Sequence, residues 1–282
     1  MSATAVGVGR LLSWERFAVG IRTSLVSGIG SWNSKGAWTK NTENYSESDW
    51  RSELWGLVGL GRRVSLWLRL PAQLNYRHVG NLGSGYGGGF GDLQAGGRIE
   101  ILGIGEYLEL PAIALNIGFT APTGNSIDSA MSAGDALAAS VTGRGAWLAT
   151  VALSFEYTRI PWFVRLDSGV AVAFPMTRAD TGQSQWYGTS VDVALVGGWE
   201  VVSDFVISLS VSLNWQDDVT IAGDKREGSQ KIDPGMALAL SWRFDPHWTL
   251  QASLGSWILA DAAAKNSLGR ITSTLGLRYG FF

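Results

Sequence analysis

The 282-residue chain contains no cysteine. That excludes disulfides, thiolate metal sites and cysteine nucleophiles together, and it suits a compartment where thiols are an oxidation liability. Histidine is nearly absent as well, with two residues in the whole chain, so imidazole metal ligation and acid–base catalysis have little to draw on. Long hydrophobic runs are missing: no stretch of about 18 uninterrupted apolar residues could form a membrane helix, so any crossing of a bilayer has to be made by strands. Charged residues are 16% of the chain and nearly balanced at a net −2, which argues against a nucleic-acid partner and against a disordered acidic tail. No cofactor is implied. The opening MSATAVGVGRLLSWERF is a short apolar stretch broken by glycine and Arg10, a poor secretory signal; export implies a signal removed from this numbering.

What is present is alternation. In VSLWLRLPAQLNY, Val64, Leu66, Leu68, Leu70, Ala72, Leu74 and Tyr76 fall on one face, with Ser65, Arg69, Gln73 and Asn75 on the other. FVISLSVSLNWQ, from Phe205 to Gln216, repeats the pattern. A helix would mix these sets around its circumference, so the period of two predicts strands. Twelve are expected, at 14–29, 48–60, 64–76, 91–102, 107–121, 146–158, 163–174, 186–200, 205–216, 235–243, 248–258 and 268–281. Short connections such as GRR, RIPW and VVSD alternate with long polar ones such as 30–47, 122–145 and 217–234. This is the plan of an all-β, antiparallel up-and-down transmembrane barrel with short turns on one side of the membrane and long loops on the other. An even strand number puts both termini on the short-turn, periplasmic side. Residues 1–13 then form an N-terminal periplasmic segment and 14–282 a single outer-membrane barrel domain. Tryptophan and tyrosine collect near strand ends, as membrane interfaces favour, and all five lysines are expected in the long loops. A soluble sandwich also alternates, but its charges would not sit at mid-strand opposite a large apolar face.

With the apolar face toward lipid, the lumen receives Arg16, Arg22, Arg51, Glu53, Arg69, Asp92, Arg98, Glu100, Glu156, Arg165, Asp167, Asp192, Glu200, Arg243, Arg270 and Arg278. The plainer role for these is cross-strand pairing that pins the register; the functional one is to line a path and bias what passes. Twelve strands leave a bore wider than an eight-stranded barrel and narrower than a sixteen-stranded porin. An inward-folded loop or residues 1–13 could close it.

Gly89-Phe90-Gly91-Asp92-Leu93, followed by an apolar strand that ends Ala121-Pro122-Thr123-Gly124, resembles the outer-membrane transporter-like family linked to the meta-pathway of phenol degradation. The resemblance implies an outer-membrane barrel and, more weakly, uptake of hydrophobic or aromatic small molecules. Both halves of the motif also have structural readings: glycines for tight turning, and a proline that ends a ladder.

Some twelve-stranded barrels hydrolyse lipids with a histidine beside a serine. Here His78 and Ser84 fall in a connection expected to be a long loop, without a nucleophile motif, and His247 falls in a short turn on the other side, so no enzyme is expected. The acidic group Asp217, Asp218, Asp224, Glu227 and Asp233 lacks a calcium-loop pattern. No metal site is expected. The function read from the sequence is a passive channel or transporter for small molecules; the alternative is a structural anchor or subunit of a larger envelope assembly. Partners are then membrane lipid, lipopolysaccharide, a small solute, the insertion machinery and, for the alternative, an envelope protein. The closing ITSTLGLRYGFF supplies an insertion signal in Tyr279, Phe281 and Phe282. Leu275, Leu277 and Tyr279 are in phase with Phe281, which is therefore expected to face lipid, with Phe282 either turned inward or displaced by a bend at Gly280.

Overall fold

A strand with one apolar and one polar face satisfies its backbone in a membrane only if the sheet has no edge, because lipid offers no hydrogen bonds. The computed structural model, which describes residues 15–41, 44–103, 110–178, 181–256 and 264–281, closes that sheet. The barrel strands are β1 (Phe17–Trp32), β2 (Tyr45–Gly59), β3 (Val64–Val79), β4 (Leu93–Leu102), β5 (Ala112–Ala121), β6 (Leu148–Arg159), β7 (Trp162–Ala173), β8 (Thr189–Val202), β9 (Phe205–Gln216), β10 (Lys231–Arg243), β11 (Trp248–Ser256) and β12 (Ser267–Phe281). Each pairs antiparallel with the next, and β12 pairs with β1 from Phe17↔Phe281 to Trp32↔Ser267, with a bulge between Gly28 and Gly30. The chain is thus a closed twelve-stranded antiparallel barrel with two further strands in the same sheet. No described helix is long and apolar enough to cross a membrane.

The outer face follows the sequence pattern. Ile21, Leu25, Leu54, Leu66, Leu68, Leu70, Val151, Leu166, Leu195, Leu209, Leu238 and Leu275 are all exposed, as a belt meant for hydrocarbon requires. Phe281 is exposed in phase with them, and its ring meets Phe17 at 5.1 Å and Tyr279 at 4.5 Å. Arg278, of opposite phase, is buried. Phe282 and residues 1–13 lie outside the described residues, as do parts of the strands expected at 107–121 and 248–258.

Many expected boundaries move by a few residues, and three places change the architecture. The connection after β3 is a hairpin: β3 runs on to Val79, a 3-10 turn spans Gly80–Leu82, and Gly83–Phe90 is a strand paired back on β3 from Val79↔Gly83 to Ala72↔Phe90. Glycine's weak strand signal hid it; the Tyr76–Tyr86 cross-strand ring pair at 4.8 Å marks it. That strand breaks at Gly91-Asp92, where Gly91 N–H bonds the carbonyl of Pro71 at 2.8 Å, so β4 starts at Leu93 instead of 91. The strand expected from 186 starts at Thr189, because Gly188 adopts a φ of 75°. Trp186 goes instead to a small sheet in which the loops after β7 and β9 join through Met176–Thr177, Ser184–Trp186, Thr220–Ile221 and Asp224–Lys225. Lysine is also not confined to loops: Lys231 opens β10, and Lys40 ends a short strand, Trp38–Lys40, paired on β1.

The interior is uneven. On β1–β3, Ala18, Trp55 and Leu57 are buried at 0%, 5% and 1% exposure, with Trp67 packed against them. These inward aromatics occupy the space over glycines of neighbouring strands. A Cβ on Gly20 would meet the Trp55 ring at 2.4 Å, and one on Gly96 would meet Trp67 at the same distance. Across the barrel, the inward residues of β9 and β10 are small: Ser208, Ser210, Ala237, Ala239 and Ser241.

Candidate functional site

Two assemblies occupy the interior. The first holds a loop at the long-loop end. Asp92 stands at the break before β4 with its carboxylate buried; Oδ1 accepts the Gly124 N–H at 3.0 Å and Oδ2 accepts the Arg144 N–H at 2.7 Å. Thr123 Oγ1 donates to the Gly91 carbonyl and accepts from Leu93 N–H, both at 2.9 Å. The two halves of the family-like motif, 32 residues apart, are therefore one clamp, and Pro122 ends β5 just where the clamp begins. Beyond it the loop folds onto the inward face of β3: Asn75 Nδ2 donates to the carbonyls of Ala139 (2.8 Å) and Val141 (2.7 Å), and Gln73 Nε2 donates to Val141 at 2.7 Å. Gly87 packs so tightly on this loop that a Cβ would sit 2.5 Å from Ala139, which explains one glycine of GYGGGFG. The loop also carries a short helix, Ile127–Ser132, whose buried Asp128 meets Arg178 at 3.3 Å.

The second assembly is a set of ion pairs on the inward face. Arg22 and Glu53, directly opposite on β1 and β2, meet at 3.0 Å. Arg51 meets Asp49 at 2.8 Å. Arg165 meets Asp167 at 2.8 Å, and Asp167 also accepts from Ser154 Oγ at 2.6 Å. Arg98 lies 3.7 Å from Glu100. Arg270 reaches Glu47 at 3.7 Å across β1, where Gly28 leaves the space: a Cβ there would meet Glu47 Cγ at 2.4 Å. Arg243 pairs with Asp204, and Arg278 with Glu15. Glu156 accepts from Thr158 Oγ1 at 3.2 Å, Glu200 from the Asp204 N–H at 3.0 Å, and Asp192 from Asn214 Nδ2 at 2.5 Å. Arg16 precedes β1, exposed, with its N–H on the Phe281 carbonyl. Arg69 differs from the rest: its guanidinium lies 4.9 Å from the centre of the Trp67 ring.

The partners Glu15, Glu47, Asp49, Arg77 and Asp204 were not among the expected residues. Arg77 bonds Asp49 at 2.5 Å. It lies one position beyond the strand end drawn at 76, in phase with Gln73 and Asn75, so extending the alternation would have found it.

Against the small-residue wall lies a cavity of about 460 Å³, lined by residues of β1 and β6–β12 that include Arg22, Glu156, Arg165, Glu200, Arg243 and Arg278. Above it, in the loops, Asp217 Oδ1 accepts the Asp218 N–H at 2.8 Å and Lys225 Nζ at 3.1 Å. Those two donors, the backbone N–H first, hold the Asp217 carboxyl below its usual range.

His78 Nδ1 lies 2.9 Å from Ser84 Oγ, at the end of β3 rather than in a loop. No carboxylate contacts His78 among the described residues, so nothing of that kind orients the imidazole as a catalytic base. His247 Nδ1 lies 2.9 Å from the Gly280 carbonyl, and its ring stacks on Tyr279.

No family model and no curated protein matches this sequence. Solved structures do. An outer-membrane channel from Pseudomonas putida F1 superposes with a TM-score of 0.79 at 16% identity, covering 98% of each chain. The chain shares the closed β-barrel fold of these outer-membrane proteins. The NanC porin follows at a TM-score of 0.52 and 9% identity, covering 93% of this chain and 100% of its own. The translocator domain of the autotransporter NalP from Neisseria meningitidis matches at 0.52 and 12%, covering 99% and 92%. At such identities the likeness is one of fold.

Proposed function

We propose that this barrel is a bacterial outer-membrane channel for small solutes, with its lumen running beside β7–β11. The observation that carries the reading is the cavity inside a closed barrel whose outer face is apolar. A barrel built only as an anchor has no need of a wall of serine and alanine. The resemblance of the Asp92–Thr123 clamp residues to the phenol meta-pathway family extends the proposal to hydrophobic or aromatic solutes. The sixteen charged residues expected in the lumen then act mainly as register-pinning pairs, with Arg22, Glu156, Arg165, Glu200, Arg243 and Arg278 bordering the path. Both termini lie in the periplasm, the long loops meet lipopolysaccharide, and Tyr279 and Phe281, with Phe282, serve as the signal for the insertion machinery. Catalysis is no part of this reading, since no carboxylate contacts the Ser84–His78 pair among the described residues. Planar-bilayer conductance and solute-swelling assays on the purified protein test it: discrete conductance steps are expected, and a folded barrel that passes neither ions nor small solutes overturns it.

A further inference from the structure

Eight inward arginines, Arg22, Arg51, Arg77, Arg98, Arg165, Arg243, Arg270 and Arg278, each have a carboxylate partner. Arg69 has none: among the described residues it makes no hydrogen bond and no ion pair, and its one specific contact is the Trp67 ring. It is half-buried, at mid-strand, between lipid-facing Leu68 and Leu70. It pairs across the ladder with Trp55, two residues from Glu53 on the same face of β2, and Glu53 is directly opposite Arg22 and bonded to it at 3.0 Å.

Removing a guanidinium from water without an acceptor is costly, and a ring face offsets only part of that cost. A planar carboxylate is the group whose geometry completes such a site, through paired N–H···O bonds. The surroundings fix the rest of the ligand. Trp55, Leu57 and Trp67 pack together on this wall, and Arg22 is among the residues that line the cavity of about 460 Å³ with its alanine and serine wall. We propose that Arg69, with Arg22, binds the carboxylate of a small solute whose apolar body lies in the adjoining cavity. The inference rests on the channel reading for its biological sense but not for its test.

The experiment is binding to the purified, folded barrel in detergent, followed by calorimetry, with benzoate as probe and benzyl alcohol as its uncharged counterpart. The wild type is expected to bind benzoate more tightly than benzyl alcohol. Arg69→Gln is expected to lose about tenfold or more in benzoate affinity, the worth of one charge-assisted hydrogen bond, and to leave benzyl alcohol unchanged. Arg69→Lys should recover part of the loss. Heat-modifiable mobility on gels confirms that each variant is folded. Equal benzoate affinity in wild type and Arg69→Gln, or no preference for benzoate over benzyl alcohol, overturns the site. A wild type that binds benzoate through Arg69 but conducts nothing in bilayers sinks the channel reading and keeps the site; a conducting barrel indifferent to Arg69→Gln does the reverse.

Discussion

The two inner walls of this barrel face the same bore and share the same outer alternation, yet they do opposite things. On β1–β3 the inward positions hold Trp55, Leu57 and Trp67, and the two indole rings fill the space over glycines on β1 and β4. On β9 and β10 the equivalent positions hold serine and alanine, and the cavity lies against them. A lipid-facing belt is a requirement of the bilayer and recurs on every strand. The inward set is free to vary, and side-chain size there decides whether a wall packs or leaves a path. Among the described residues, this cavity therefore lies to one side of the barrel.

Exchanging the two walls' side chains breaks the contrast most directly. Ala239→Trp, which fills the cavity from the open wall, is expected to abolish most of the conductance in planar bilayers while leaving the folded fraction unchanged. Trp67→Ala does the converse on the filled wall: a wider bore and larger conductance steps, with a stability loss of about 3 kcal/mol from the lost packing. Equal conductance in Ala239→Trp and the wild type would place the path elsewhere.

The second contrast lies between the ties that hold the loops above each wall. On the filled side the tie is buried: Asp92 accepts two backbone N–H groups from the 122–147 loop. Asp92→Ala strands both donors in a water-poor site, a cost of about 2 kcal/mol or more. The exposed Arg144 should become a faster trypsin site, and Asp92→Asn, which keeps one acceptor oxygen, should fall between. Unchanged cleavage at Arg144 would mean that Asn75 and Gln73 hold the loop without the clamp.

Much of this fold is legible in the sequence, for a physical reason. Lipid tolerates so few residue types that Leu66, Leu68 and Leu70 announce their face, and the twelve strands follow from counting such runs. The hairpin Gly83–Phe90 escaped because glycine carries no side chain to alternate. The filled wall escaped for a different reason: Trp55 and Trp67 are apolar residues on the polar face, and period two alone treats an inward tryptophan as noise. The ion pairs were legible as a set of charges but not as couples. Arg270 reaches Glu47 over two strands only because Gly28 is bare, and a glycine's permissiveness toward its neighbours has no local signature. Asp92 was placed inward from its phase, while its task as a clamp depends on residues 32 and 52 positions away.

Over the open wall the tie is exposed, and its expected effect is the smallest. Asp217 binds the Asp218 N–H and Lys225 in the loop sheet above β9 and β10. Its carboxyl is held below the ordinary value of 3.8, first by that backbone N–H and then by the lysine. A depressed carboxylate contributes order above its ordinary value and loses that contribution as pH falls through its lowered one. The lysine is raised above its ordinary 10.5, chiefly by the hydrogen bond to Asp217, so its contribution is present below that value and fades as pH rises through the higher one. The latch is thus complete at neutral pH and opens both in acid, as Asp217 is protonated, and in alkali, as Lys225 loses its charge. A carboxyl carbon NMR titration checks the order of causes. Lys225→Met should leave Asp217 titrating below 3.8, because the backbone donor remains, whereas added salt should weaken only the lysine's share. A return to 3.8 in Lys225→Met would make the exposed ion pair the true latch, and the roof over the open wall would then be salt-sensitive in a way the buried Asp92 clamp is not.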